Sequence, residues 1–170
     1  MKCIIHPRTD GGVSRTTVST RALASLIQGG LTEGAAFDML ANQARPTNAL
    51  GPHFVVEEIT LSPHLRGPSA EDRYFRDACA WGGSDVVVDM PKARVIHMGR
   101  LRLARDKALV AQDTLYMKAF ESGDIAEQTR ITNLKQRLRD LPQTFILSIF
   151  PTPEALKAAW PPELPPRTPV

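Results

Sequence analysis

The residues that could bind a metal are few and scattered along the chain. Cys3 and His6 have the Cys-x-x-His spacing of some metal sites, but residues three apart on a strand point to opposite faces of a sheet. The other cysteine and the other three histidines stand singly, at Cys79, His53, His64 and His97. We therefore predict no metal site, and no motif in the sequence predicts a cofactor.

Enzymatic motifs are also missing from the sequence. It contains no G-x-S-x-G, H-E-x-x-H, P-loop or G-x-G-x-x-G motif. Cys79 with a histidine distant in sequence stays open as a catalytic pair. However, a cysteine between two alanines, directly before Trp81, is more typical of a packed small hydrophobic residue. We predict that the protein is not an enzyme.

Length and composition permit one packed domain or two small modules. The 170 residues are 42% hydrophobic and 23% charged, which excludes a wholly disordered chain. The apolar run Cys3–Ile5 is too short for a signal peptide or a membrane span. Two cysteines argue against a disulfide framework, so we expect a cytosolic protein with reduced thiols.

Charge and proline are both distributed unevenly. Residues 1–90 contain 8 Lys and Arg against 10 Asp and Glu, whereas residues 91–170 contain 13 against 8. Seven of the 14 prolines lie between Pro151 and Pro169. The sequence therefore predicts two parts built for different neighbours, with a proline-rich end.

Residues 1–90 have the pattern of a small α+β module. Met1–His6 and Val13–Val18 predict a hairpin across the turn Asp10-Gly11-Gly12, and Asp85–Asp89 predicts the returning strand of a second hairpin. The other predicted elements are helices from Ser19 or Thr20 to Ile27 and from Thr32 to Ala44, a strand at His53–Leu61 and a loop at Pro63–Pro68.

The clearest pattern is a helical hairpin over residues 91–141. No further proline and only one glycine interrupt the chain from Pro91 to Glu121, a length of about thirty residues. Ser122 and Gly123 end this helix, since glycine closes helices in the left-handed conformation. Because the connection is so short, the two helices must be antiparallel neighbours.

The second helix of the hairpin begins at the cap Asp124 and is predicted to stop at Pro142. Residues 142–170 form a C-terminal segment, in which Thr152-Pro153 opens a short helix that reaches Trp160 before the proline-rich tail. The whole pattern predicts an α+β protein. A small N-terminal module with hairpins precedes a long antiparallel helical hairpin and a short C-terminal helix.

The first helix of the hairpin has two apolar stripes. One is made mostly of small residues that allow the second helix to approach: Ala93, His97, Leu101, Ala104, Ala108, Ala111, Leu115 and Ala119. The other, on roughly the opposite side, has members seven apart: Ile96, Leu103, Val110 and Met117. The second helix cannot cover both. Either other residues of this chain cover the second stripe, or it is an interface for an oligomer or a partner.

The end of the last helix supplies further candidates for such an interface. Trp160 beside Pro161-Pro162 could anchor a partner, or it could dock on its own hairpin. The candidate partner interface therefore contains six residues: Ile96, Leu103, Val110, Met117, Trp160 and Leu164.

Basic residues crowd the first helix of the hairpin, yet they do not predict a nucleic-acid interface. Arg100, Lys107 and Lys118 share one flank, while other cations point elsewhere and acids interrupt the side opposite the small residues. No row of aromatic residues accompanies them for base stacking. This distribution is typical of a solvated surface whose long side chains cover apolar edges.

From Arg73 onward the sequence contains five motifs in a fixed order. They are FRDA-x-x-W-x-G, VDMPKAR-x-IH, D-x-x-YMKAFE-x-GD, KQ-x-LRD-x-P and TPE-x-L-x-A-A-WP-x-EL. In this combination, over roughly residues 73–164, the chain resembles the phage tail assembly chaperone proteins of proteobacterial prophages. The first seventy residues only loosely resemble the leader that such proteins often carry.

The resemblance implies a small phage protein that assists tail or tail-fibre assembly through protein contacts, with no catalytic residues to transfer. It implies a place in the cytoplasm of the bacterial host, or association with the virion. The alternative is a structural component of the tail tip or fibre that stays in the particle. A third hypothesis is a regulator that binds nucleic acid. No membrane is expected as a partner, and a homo-oligomer stays open.

Overall fold

A computed structural model describes residues 1–69 and 71–167 of the chain, without the side chain of residue 59. The chain divides into two compact units, Met1–Asp89 and Met90–Val170, and the helical hairpin and the C-terminal segment belong to the same unit. Each unit is described by itself below. Pro169, in the predicted tail, lies outside the described residues.

The first unit is built on a three-stranded antiparallel sheet. Its strands are β1 (Lys2–Pro7), β2 (Val13–Thr17) and β3 (Phe54–Glu57), with β1 in the centre. The predicted first hairpin is confirmed: β1 and β2 pair in the register Ile5 with Arg15. Gly11 takes a φ of 73° in the turn, a conformation that glycine adopts without strain.

Both faces of this sheet are covered. Helices α1 (Thr20–Gln28) and α2 (Glu33–Gln43) start at the predicted caps, Ser19 and Thr32, and α2 supplies Phe37 and Ala41 to a cluster with Ile4. On the other face Cys3 and Ile5 pack with the second hairpin, β4 (Cys79–Trp81) and β5 (Val86–Val88). The central strand is therefore buried on both sides.

Two predicted boundaries in this unit are wrong. The strand expected at His53–Leu61 ends at Glu57, and a 3-10 turn follows at Glu58–Thr60. The loop expected at Pro63–Pro68 contains a short helix, α3 (Pro63–Arg66), which Ser62 caps. The change of direction buries Leu61 and Leu65 in the same cluster as Cys3, and the removal of these side chains from water favours the turn.

The second unit contains the predicted antiparallel helix pair. Helix α4 (Met90–Glu121) has 32 residues and helix α5 (Ile125–Thr144) has 20. Asp124 caps α5 by accepting a hydrogen bond of 2.9 Å from the backbone N–H of Glu127. The carboxylate of Asp113 on α4 binds the ammonium group of Lys135 on α5 at 2.5 Å, an ion pair between the two helices.

The prediction that Pro142 stops the second helix is wrong, because α5 continues to Thr144. A proline in the last turn removes only one intrahelical hydrogen bond, since its missing N–H would have bonded the carbonyl of Leu138. The helix then closes with the N–H of Phe145 donating to the carbonyl of Leu141 at 2.9 Å.

The C-terminal segment packs against the first turns of α4, beyond the end of α5. Its helix α6 spans Pro153–Ala158, two residues shorter than predicted, with Thr152 as the cap. The carbonyl of Ala159 can only accept, so the ring Nε2–H of His97 donates to it, at 2.7 Å. Leu156 and Pro161 are buried in this part of the unit.

The observed elements confirm the α+β class: antiparallel strands come first, and a long helix pair and a short helix follow. Among the helices that the structure describes, none combines the length and the apolar character needed to cross a membrane.

Candidate functional site

Helix α4 buries one side, which we call the inner face and define by Ala93, His97, Leu101 and Ala119. Helix α5 contributes Ile131, Leu138 and Leu141, all buried. The buried Ala119 and the half-buried Ala104 and Ala108 let α5 come close, as the sequence predicts. Ala111 and Leu115, also expected on this side, are exposed and do not belong to the buried set.

The opposite side of α4 carries exposed apolar residues, and we call it the outer face. Leu103 is 64% exposed, Val110 is 67% and Met117 is 52%. These residues are seven apart, so they form one line along the helix with a drift of about 20° per step. Ile96, the fourth predicted member, is half-buried. Neither α5 nor the C-terminal segment covers Leu103, Val110 or Met117.

The structure does not bring the other two candidate residues to the outer face. Leu164 is buried within the second unit. Trp160 is half-buried, its indole N–H donates to the carbonyl of Pro165 at 2.9 Å, and its ring lies edge-on to His97. The docking of Trp160 on its own unit, which the sequence leaves open as an alternative, is therefore the observed arrangement.

The hairpin end adds apolar residues that the sequence argument missed. Phe120 and Ile125 are exposed on either side of the turn between the helices. The position of Phe120, three residues after Met117, was the available signal, because residues three apart share one side of a helix. The exposed apolar surface therefore continues from the outer face to the tip of the hairpin.

Some charged groups beside the outer face form ion pairs, and others do not. The guanidinium of Arg105 donates to the carboxylate of Asp106 at 2.7 and 3.0 Å, and Asp113 is bound by Lys135. Lys107 and Lys118, by contrast, form no ion pair with any residue that the structure describes. Asp106 and Asp113 are thus neutralised locally, whereas Lys107 and Lys118 stay uncompensated on one flank, and Glu121 at the end of the helix is an acid without an ion pair among the described residues.

Cys79, the candidate nucleophile, lies in the core of the first unit. It is buried, and burial raises the pKa of its thiol to about 11. Its Sγ donates to the carbonyl of Phe75 at 3.6 Å. A thiol with so high a pKa is almost wholly protonated near neutral pH, so the reactive thiolate is scarce.

The Cys3 and His6 pair is divided between the two faces of the sheet. Cys3 belongs to the cluster with Ile5, whereas Ile4, on the side of His6, packs against α2. Among residues 1–69 and 71–167 no group of three or more Cys, His, Asp or Glu side chains is arranged to hold a metal ion.

A second histidine, which the sequence argument missed, lies beside His6. The ring centroids of His6 and His53 are 5.9 Å apart, and Nε2 of His53 is 3.0 Å from a carboxylate oxygen of Asp38. His6 is fully buried, and neither of its ring nitrogens has a hydrogen-bond partner among the described residues. Burial, followed by the charges of His53 and Arg45, lowers the pKa of His6.

Comparisons of this chain with protein-family models, with curated proteins and with solved structures give no match. The outer face of α4 is therefore interpreted from its own geometry and charge, together with the order of the sequence motifs.

Proposed function

We propose that the chain is a non-enzymatic assembly protein of a phage tail or tail fibre, which binds another tail protein through the outer face of α4. The observation that carries this proposal is the exposed line of Leu103, Val110 and Met117. Large apolar side chains aligned on one surface are typical of a binding site, because a partner removes them from water.

The ordered motifs between residues 73 and 164 support the class of partner. Two of them contribute α4 itself, since VDMPKAR-x-IH enters the helix and D-x-x-YMKAFE-x-GD leaves it. The segment that carries the resemblance therefore also carries the exposed face. An assembly role needs no reacting groups, only a surface that binds its partner reversibly.

The test is co-expression of the tagged chain with the complete set of tail genes of its prophage, followed by affinity capture and mass spectrometry. We expect one tail or tail-fibre protein to be captured. Val110→Asp should abolish capture, because the partner would have to desolvate a carboxylate at the centre of the contact. Val87→Asp is the matched control, since Val87 is an exposed valine on β5 in the first unit.

Purified virions separate the assembly reading from the structural one. An assembly protein should be absent from finished particles, whereas stoichiometric copies in the particle would favour the tail-tip or fibre component. Capture of no tail protein, or equal capture by the wild type and Val110→Asp, would contradict a role for the outer face in assembly.

A further inference from the structure

The outer face of α4 has a spacing that selects the secondary structure of its partner. Leu103, Val110 and Met117 repeat every seven residues, which places them about 10.5 Å apart along the helix axis. Residues on one side of a strand repeat about every 6.6 Å, so their spacing does not match the spacing of about 10.5 Å along this line. A helix with its own seven-residue apolar repeat has the same spacing, and its apolar residues stay in contact with the line when it coils gently around α4.

The charge beside the apolar line selects the chemistry of that helix. Lys107 and Lys118 lie on one flank without ion-pair partners among the described residues. The nearby acids Asp106 and Asp113 are already bound by Arg105 and Lys135. Residues flanking an apolar seam decide which helices pair, since opposite charges attract across it and like charges repel.

A second copy of this chain matches the outer face less well. In an antiparallel pair each flank meets the same flank of the other copy, which carries Lys107, Lys118 and the single acid Glu121. In a parallel pair the lysines would face Asp106 and Asp113, whose charges are already compensated. A second copy therefore offers the two lysines at most one free carboxylate, that of Glu121.

We infer that the outer face of α4 binds an amphipathic helix of a partner protein, one with a seven-residue apolar repeat and acidic residues along one flank. This inference rests on the proposed function and deepens it, because it states the chemistry by which the tail partner is recognised. The contact is a helix laid on a helix, with apolar residues supplying affinity and the lysine flank supplying selectivity.

The test uses the full chain and two synthetic helical peptides of about 28 residues. Both have leucine at the two apolar positions of each heptad. Along one flank of these leucines one peptide has glutamate and the other has lysine, and the second flank is glutamine in both. Fluorescence anisotropy of the labelled peptides measures binding at low and high salt. We expect the acidic peptide to bind, the basic peptide not to bind, and the affinity to fall as salt screens the flanks.

Charge reversal gives the decisive variants. Lys107→Glu with Lys118→Glu should weaken binding of the acidic peptide about tenfold or more and create binding of the basic one. Arg21→Glu with Arg139→Glu, at exposed residues of α1 and α5, changes the net charge equally and should keep wild-type affinity. All four substitutions are at exposed positions, so we expect each variant to fold, and thermal melting followed by circular dichroism checks this.

Several outcomes would overturn the inference. Equal binding of both peptides, binding of neither, or equal losses in the two double variants would remove the role of the lysine flank. Sedimentation equilibrium that shows a dimer, lost in Val110→Asp, would identify a second copy as the occupant instead.

The two proposals fail in different experiments. If a captured tail protein binds Lys107→Glu/Lys118→Glu as well as the wild type, the acidic helix is wrong and the assembly role stands. If the acidic peptide binds selectively but no tail protein is captured, the surface chemistry stands and the assembly role is wrong.

Discussion

Strand β1 and helix α4 are the central elements of their units, but they are buried differently. Four consecutive residues of β1, from Cys3 to His6, are almost fully buried, because helices cover one face of the sheet and a hairpin covers the other. Helix α4 is buried on its inner face alone, while Leu103 and Val110 stay exposed. The first unit thus encloses its central element, and the second presents part of it.

Each unit contains one tryptophan, which lets the comparison be measured unit by unit. Trp81 lies in the first unit and stacks on Phe54, and Trp160 lies in the second. Trp160→Phe therefore leaves a fluorescence signal from the first unit, and Trp81→Phe leaves one from the second. Separate signals are needed because a chain of two units need not unfold in one step.

The largest expected contrast is between two leucines of α4. Leu101→Ala should cost about 2–5 kcal/mol of unfolding free energy, because Leu101 is fully buried and its loss leaves a cavity. Leu103→Ala should change it by less than about 0.5 kcal/mol. Urea unfolding in the Trp81→Phe background measures both. Similar losses for the two variants would mean that the outer face is covered within the folded chain.

The buried histidines provide a second contrast. His97→Leu should cost about 1–3 kcal/mol, because the carbonyl of Ala159 would lose its donor. His6→Leu should cost nothing or stabilise the first unit, since the imidazole nitrogens make no described hydrogen bond and leucine has a similar volume. The two single-tryptophan backgrounds report the two variants separately. A large loss in His6→Leu would show that the imidazole has a partner after all.

Three valines extend the comparison across three surfaces. Val13 and Val18 are buried in the clusters on opposite faces of the sheet, and Val110 is on the outer face of α4. Replacement of either buried valine by alanine should lower the unfolding free energy of the first unit by about 1.5 kcal/mol, since each buried methylene contributes about 0.8 kcal/mol. Val110→Ala should be nearly neutral. If only one of Val13 and Val18 were costly, the sheet would be covered on one face alone.

The smallest effect near neutral pH concerns His6, whose pKa is lowered from 6.5 chiefly by burial. The unfolded chain therefore binds the proton at a higher pH than the folded one. The contribution of the neutral His6 to the unfolding free energy of the first unit is complete above pH 6.5 and decreases as the pH drops below that value. Urea titrations of Trp160→Phe between pH 5 and 8 measure the slope, and His6→Leu should flatten it. An unchanged slope in His6→Leu would assign the effect to other groups.

Local signals in the sequence were sufficient for most elements of the fold. Ser19, Thr32 and Asp124 start helices because their side chains accept backbone hydrogen bonds, and such caps depend on a few adjacent residues. The seven-residue spacing likewise predicted the apolar line on α4 and left open whether the chain itself covers that line. Ser62-Pro63 had the same cap signature and could have predicted α3.

The misses depend on contacts between residues distant in sequence. Trp160 and Leu164 became candidates for a partner because nothing nearby shows that the tail folds back onto His97. The neighbouring rings of His6 and His53 come together only through the pairing of β1 with β3. Whether a helix tolerates a proline depends on how many hydrogen bonds its missing N–H removes. In the last turn of α5 only one is lost, and the residue type alone does not reveal that.

The unequal lengths of α4 and α5 have a consequence for motion within one continuous helix. Helix α4 has twelve residues more than α5, so about 18 Å of it projects past its partner and is held by the C-terminal segment. Each opening of that segment should release the amide hydrogens of the first three turns to exchange with deuterium, while those near Asp113 stay protected. One helix should therefore show two exchange rates, with the boundary near Leu101.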